Sequence, residues 1–561
     1  LPTTILVAPA GRRVGLTTAC LGMVRALDRH GLRVAFVKPI ANRETNRSSD
    51  LVAVGAHLTP PPSISSQVAE ELLASGDDQT LMEHVVEIAG KAAGGAEVII
   101  VEGMNPEPGM VHASRVNELM LKALDAELVM VAAPRSQDPV ETASAIAIAA
   151  RGYGALPEGR QVCCILNRVC IGGGMARGDN ETVGQAQRGC QDCQGVASFA
   201  ENEAAHLQAL KAEHIRPLAI VPCSVDLSAP RVLDVAVAIG ASLLRVGEAR
   251  TRRVKDVGVC AATVPNALKA MRPGALIITP GDRADILLAA ALSVQGGTPL
   301  AGVVLTGGIE PDPRALALCR KAFDGGLPLL TVKESSYRAA TNVASMNTEI
   351  PADDPERIER TMNVVADRVD VAWVKGFEVP TRVPRLSPPA FRHRLIEAAR
   401  ADLQRIVLPE GTEPRTVAAA SIIENRGIAR CVLLGNPDEV HDVAARQGIT
   451  LPEGVEIVDP VEVAPRYVAP LVERRKAKGM NTERAEIELQ DSIMVGTMML
   501  ALDEADGLVS GAIHSTAHTI RPALQIIKTV PGCNLVSSVF FMCLPEQVLV
   551  FGDCAVVPNP S

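Results

Sequence analysis

GLVSGAIHSTAHTIRPALQIIKT, residues 507–529, reads as an apolar strand ending at Val509, a turn rich in glycine and hydroxyls, and an amphipathic run from Ala523 to Lys528 behind Arg521-Pro522. Pro522 suits the first turn of a helix, where its missing N–H leaves no hydrogen bond unmade. Ser510, Gly511, His514, Ser515, Thr516 and Thr519 form a small-residue loop between strand and helix, with the Arg521 guanidinium beside it. A helix N-terminus and a planar guanidinium both favour anions. The order strand, loop, helix is the repeating unit of an α/β layer, and the rest of the chain repeats it.

Moving upstream, Arg405-Ile-Val-Leu-Pro-Glu410-Gly is a strand running into a turn and an Ala-rich helix, Thr416 to Asn425. Further strands are expected at Cys431–Gly435 and Val455–Asp459, and helices around Leu471–Gly479 and from Thr482 to Leu502. Residues 375–395 carry four prolines and break the periodicity, which marks an interdomain linker at 376–390 ahead of a domain spanning 391–561. Short apolar runs at 258–262, 275–279, 302–305 and 329–332 define a middle α/β unit over 246–375. The turns Thr279–Arg283 and Thr306–Gly308 close two of these strands and read as simple strand exits.

The first unit, 1–245, opens with TTILVAPA, then Gly11-Arg-Arg-Val-Gly15-Leu-Thr17-Thr18 and a helix through Leu27. Strand, glycine loop and helix are the setting of a phosphate-cradling loop, but the lysine that should follow the last glycine is Leu16. Lys38 ends the second strand, and Glu102 ends the third, with two more at Glu127–Ala133 and Gln161–Asn167. Gly11, Gly15, Thr17, Lys38 and Glu102 are therefore a vestigial nucleotide or effector site. Residues 170–199, Gly- and Gln-rich and without hydrophobic period, are a surface insertion whose Cys190-Gln-Asp-Cys193 lacks a second ligand pair for zinc.

With 561 residues, 47% hydrophobic and 21% charged, the chain divides into several cores. Aromatics are 2% and the net charge is -9, which argues against single-stranded nucleic acid, duplex DNA and anionic membranes as partners. No apolar run reaches membrane-spanning length. The thirteen cysteines are scattered and mostly within apolar runs, so a reduced, cytoplasmic protein is expected. His514 and His518 stand four apart, a spacing that holds metals on one helix, but no glutamate accompanies them in the zinc-protease arrangement and Ser515-Thr516-Ala517 reads as loop. No metal is expected there. Cys533 and Cys543 follow the loop without an assignable His or Asn partner, so neither is read as a nucleophile.

Residues 3–245 resemble the dethiobiotin-synthetase-like branch of the P-loop fold, departing from it at the phosphate loop, and the middle block resembles the DRTGG domain. LPEGTEPRTVAAA, ERRKAKGM, DGLVSGAIHSTAHTIRPALQIIKT and LVSSVFFMCLPEQ, in this order, closely resemble bacterial phosphate acetyltransferases of the long form. The resemblance implies reversible exchange of an acetyl group between coenzyme A and inorganic phosphate, by direct thiolate attack in a ternary complex. It implies no tightly bound cofactor, small-molecule substrates only, and a homo-oligomer. It assigns Arg521 to the CoA and acyl-phosphate site as the catalytic cation, Arg475 to CoA binding, and Ser510, Ser515, Thr516 and Thr519 to the lining of the cleft. In the family the catalytic domain runs on past the point matching Ser561, with a further Ser/Thr/Gly-rich loop and an aspartate proposed as base. The expectation is therefore an incomplete catalytic domain of low activity. The alternative readings are an incompetent fragment or a regulatory or assembly protein sensing metabolites through its amino-terminal domains; an ATP-dependent ligase is disfavoured by the absent lysine.

Overall fold

The computed structural model describes residues 2–41, 46–106, 112–134, 138–154, 162–169, 199–347, 349–377, 385–533, 536–544 and 547–554. The Cys190–Cys193 pair and residues 378–384 of the expected linker lie outside them. The chain separates into two compact units, residues 1–385 and 386–561.

The first unit holds two sheets. One is fully parallel, with order β2-β3-β1-β4-β5-β6. Its strands are β1 (Thr3–Pro9), β2 (Val34–Val37), β3 (Val98–Glu102), β4 (Glu127–Ala132), β5 (Val162–Val169) and β6 (Ile215–Pro222). They form because β-branched runs such as Val98-Ile-Ile-Val101 bury both faces beneath helices. The second sheet comprises β7 (Ser242–Arg245), β8 (Asp256–Val259), β9 (Ala275–Pro280), β10 (Gly302–Thr306) and β11 (Leu329–Thr331). Its order is β7-β11-β10-β9-β8, parallel except for the β7 edge. Strands β6 and β7 have no counterpart in the sequence reading.

Helix Pro355–Ala366, which follows the second sheet in sequence, returns to the first core, where Ile358, Met362 and Val365 pack with Leu21, Val24 and Leu51. The close approach depends on two glycines. A Cβ on Gly22 would lie 2.1 Å from Val365, and one on Gly55 would lie 2.6 Å from Ile358 and Met362.

The second unit is built on β12 (Arg405–Leu408), β13 (Arg430–Leu434), β14 (Glu456–Val458) and β15 (Gly507–Leu508), all parallel in the order β14-β13-β12-β15. Successive residues alternate between two cores, Val407, Val432 and Leu434 on one face and Leu408, Cys431 and Leu433 on the other. The expected helix Thr482–Leu502 is two helices, Thr482–Glu488 and Ser492–Ala501, because Asp491 caps the second through Ile493 N–H at 2.9 Å. A separate antiparallel hairpin, β16 (Val539–Cys543) and β17 (Val548–Gly552), follows.

Across the molecule this is the expected α/β architecture of mainly parallel sheets, and among the described residues no helix is long and apolar enough to cross a membrane.

Candidate functional site

Parallel neighbours place their carboxyl-terminal loops side by side, and here β12 adjoins β15. The loop after β12 carries Glu410; the loop after β15 is the Gly511–Ser515 turn. Glu410 is 6% exposed and its carboxylate fills the turn. Oε2 accepts from the N–H groups of Gly511 at 3.1 Å and Ala512 at 2.8 Å; Oε1 accepts from those of Ile513 at 2.9 Å and His514 at 3.0 Å, and from His514 Nδ1 at 2.8 Å. Burial would raise the Glu410 pKa, but these donors outweigh it and hold the carboxyl at about 2. The turn is thus an anion nest whose anion is supplied by the protein itself.

The neighbouring residues of the same motif complete the support. Gly411 donates to Leu434 O at 3.0 Å, and a Cβ there would meet that oxygen at 2.5 Å. Glu413 caps helix Pro414–Asn425 through Thr416 N–H, and Arg415, paired with Glu413, donates to Ala512 O at 2.7 Å. Glu410 therefore fixes the turn by its N–H groups and Arg415 by a carbonyl. Neither residue was assigned to the site from sequence; the legible signal was an acid just beyond a strand end.

Helix formation after the turn starts earlier than expected. Ser515 is the N-cap, its Oγ accepting from His518 N–H at 3.4 Å, and the helix runs Thr516–Ile526 with Pro522 inside it. The expectation of Pro522 in the first turn is corrected: a hydroxyl cap satisfies the orphan N–H groups where a proline only tolerates their absence. Ser515 and Thr516 are exposed, and Thr519 Oγ donates to Ser515 O at 3.3 Å. Arg521 is exposed and carries no ion pair among the described residues. Ser510 Oγ is buried with no hydrogen-bond partner among the described residues.

Arg475 lies elsewhere, at the end of helix Pro460–Arg475, with Nη1 2.8 Å from Glu488 Oε2. Its side chain is 13% exposed, so it is not on a solvated helix face, and among the described residues it makes no bond to the 507–526 stretch. A groove of about 1020 Å³ runs beside it, lined by Val461, Val468, Val472, Lys476, Thr482 and Leu489. This groove is largely apolar, with Glu473 and Glu486 also in its lining.

In the first unit, Thr17, Lys38 and Glu102 do converge, joined by Ser48. Glu102 Oε1 receives Thr17 at 3.2 Å, Ser48 at 3.0 Å and Lys38 Nζ at 3.2 Å, and Lys38 also donates to Gly103 O at 2.6 Å. The pair is buried, at 4% and 1% side-chain exposure, while Glu102 Oε2 has no partner. Gly15 sits at the helix N-cap with φ +79°, and Asn167 occupies the space a Cβ would need. Leu16, standing where the lysine would be, is core. Gly11 makes none of these contacts.

Taken with the fold, a hydroxyl-bearing turn at the carboxyl ends of parallel strands, followed by a helix that carries an exposed arginine, defines an anion-handling α/β enzyme domain. Residues 390–561 match the family model for phosphate acetyl/butaryl transferase, residues 234–346 that for the DRTGG domain and residues 3–170 that for an AAA domain. The phosphate acetyltransferase of Pseudomonas aeruginosa is 47% identical over 563 residues, covering 100% of this chain and 78% of that protein. That of Escherichia coli is 41% identical over 570 residues, covering 99% of this chain and 78% of that protein. A solved structure of EutD phosphotransacetylase from Staphylococcus aureus shares 37% identity over 30% of this chain and 50% of that chain, with a TM-score of 0.28. The chain belongs to the phosphate acetyltransferase family, in its long form with AAA-like and DRTGG domains ahead of the transferase domain.

Proposed function

We propose that the protein interconverts acetyl-CoA and inorganic phosphate with acetyl phosphate and CoA. In the direction of acetyl-CoA synthesis the CoA thiolate attacks the acetyl carbonyl directly, the C–O bond to phosphate breaks, and phosphate leaves. Arg521 is assigned the phosphate, which a planar guanidinium grips with two parallel donors as it takes up charge. Ser510 donates its unpartnered hydroxyl to a substrate oxygen, and the exposed hydroxyls of Ser515 and Thr516, with Thr519, line the same wall. Arg475 contributes to the CoA side once its pairing with Glu488 is exchanged for a phosphate. The supporting observation is a turn whose own N–H groups are satisfied by Glu410, while Arg521 has no ion pair among the described residues.

The acetyl group is the preferred acyl chain, the working form is a homo-oligomer, and the compartment is the cytoplasm, in keeping with free thiols such as Cys20, Cys164 and Cys431. The test is phosphorolysis of acetyl-CoA by the complete gene product, followed by trapping acetyl phosphate as its hydroxamate. No acetyl phosphate above the uncatalysed rate refutes the assignment.

A second role, metabolite sensing by the first unit, is favoured by the unpartnered, buried Glu102 Oε2. Calorimetry of the intact chain with nucleotides and organic acids tests it; heats equal to dilution for every compound remove it.

A further inference from the structure

Beside the turn, three residues that no role above absorbs bring metal-binding atoms together. Asp491, His514 and His518 each offer one donor atom, and the three lie within 4.8 Å of one another. We infer that these residues form a binding site for one divalent transition-metal ion of the zinc class, with Glu410 as the outer carboxylate.

The separation in sequence hid the site. His514 and His518 were read as a pair interrupted by loop, but the helix begins at Thr516, and the break at Asp491 places a carboxylate against it. His518 Nε2 and Asp491 Oδ2 are 2.6 Å apart, and the two imidazole centroids 4.8 Å apart.

The orientations of His514 and Asp491 are already fixed by bonds that a metal would leave intact. An ionised carboxylate only accepts, so His514 Nδ1 carries the hydrogen it gives to Glu410, and Nε2 is left as the metal-facing donor. Carboxylate, histidine and metal in series is the usual way a protein sets the tautomer of a ligand. Asp491 Oδ1 is held by Ile493 N–H, which leaves Oδ2 available. His518 is 46% exposed at its side chain and free to adjust. Donors around a tetrahedral ion stand about 3.3 Å apart, given metal–nitrogen bonds of about 2.0 Å. The three donor atoms lie within 4.8 Å of one another, and the half-exposed His518 ring is the part of the cluster able to shift. The ion takes the place of the hydrogen between His518 Nε2 and Asp491 Oδ2, and His518 then carries its N–H on Nδ1.

Two imidazoles and one carboxylate select Zn²⁺, Co²⁺ or Ni²⁺ over Mg²⁺ and Ca²⁺, which prefer oxygen shells. Three protein ligands leave a fourth position for water. The inference rests on the geometry of the turn and is independent of acetyl transfer.

The experiment is titration of untagged, metal-stripped intact chain with Co²⁺, read by its visible d–d absorption. The expected result is saturation at one equivalent, reversal by Zn²⁺, and at least a tenfold loss of affinity in His518→Ala and in Asp491→Asn. The latter keeps a capping oxygen for Ile493, so its loss reports ligation and not folding. A Cys533→Ser/Cys543→Ser/Cys554→Ser variant should bind as the parent does. The inference is overturned by no saturable binding, by parental affinity in both site variants, or by loss of the signal in the cysteine variant.

Discussion

At the scale of single residues, two buried acids at strand ends do different work. Glu410 is ionised inside the turn, and its pKa of about 2 lies below the ordinary value of 4.5. A depressed acid stabilises the fold above its unfolded pKa and loses that contribution as pH falls through the folded one. The window is thus about pH 4.5 to 2, and the contribution is on the order of 3 kcal/mol. Glu410→Gln replaces one accepting oxygen by an NH2 group, which donates and cannot accept. Urea unfolding at pH 7 should show a loss of about 2–3 kcal/mol, and the gap to the parent should narrow as pH is lowered through that window. Glu102 is different, since a single lysine compensates it. Lys38→Met strands the carboxylate and should destabilise the first unit by about 3–5 kcal/mol, with partial recovery in Lys38→Met/Glu102→Gln. Equal urea midpoints for Lys38→Met and the parent would show that the ion pair is not what holds these strand ends.

The contact that makes the turn was beyond sequence reasoning. Glu410 and its donors are 101 to 104 residues apart, and only the adjacency of β12 and β15 joins them. What was legible was local: the strand, the hydroxyl-rich turn and the arginine beside it.

At the scale of elements, strands were read well where apolar runs were continuous, as in β1, β3 and β9, because a strand covered on both faces needs no alternation. The misses have physical causes. Strand β6, Ile215–Pro222, contains two prolines and follows the Gly- and Gln-rich insertion, and β7 is an exposed edge of four residues. Pro522 diverted the reading of the site helix from its true cap, Ser515. Helix Pro355–Ala366 packing on helix Leu16–Arg29 was equally hidden, although Gly22 on a buried helix face was its mark. Gly22→Ala puts a methyl 2.1 Å from Val365 Cγ1. Despite the better helix propensity of alanine, it should destabilise by about 1–3 kcal/mol, and Val365→Ala in the same chain should restore part of this. Denaturant melts of the two single variants and the double one decide it; additivity would deny the contact.

At the scale of the whole molecule, three sheets are parallel except for the β7 edge. The hairpin β16–β17 departs from it: Phe540, Phe541, Val550 and Phe551 are each about half exposed, although Phe541 stacks on Phe391 at 5.0 Å. A two-stranded ribbon presenting this much apolar surface is an adhesive edge. Phe540→Lys/Val550→Lys should lower hydrophobic-dye fluorescence and concentration-dependent association several-fold while leaving far-ultraviolet dichroism unchanged. Unchanged dye binding would place the exposed apolar surface elsewhere.

The central claim is that the turn anchored by Glu410 presents Arg521 to the phosphate of the acyl donor. It is tested most directly by the rate of acetyl phosphate formation from acetyl-CoA and phosphate, comparing Arg521→Gln with the parent in the complete gene product. Because Arg521 is exposed and unpaired, the variant should melt with the parent while kcat/KM for phosphate falls by at least tenfold, about 1.4 kcal/mol of transition-state stabilisation. An Arg521→Gln protein that folds normally and keeps the parental rate would contradict the account.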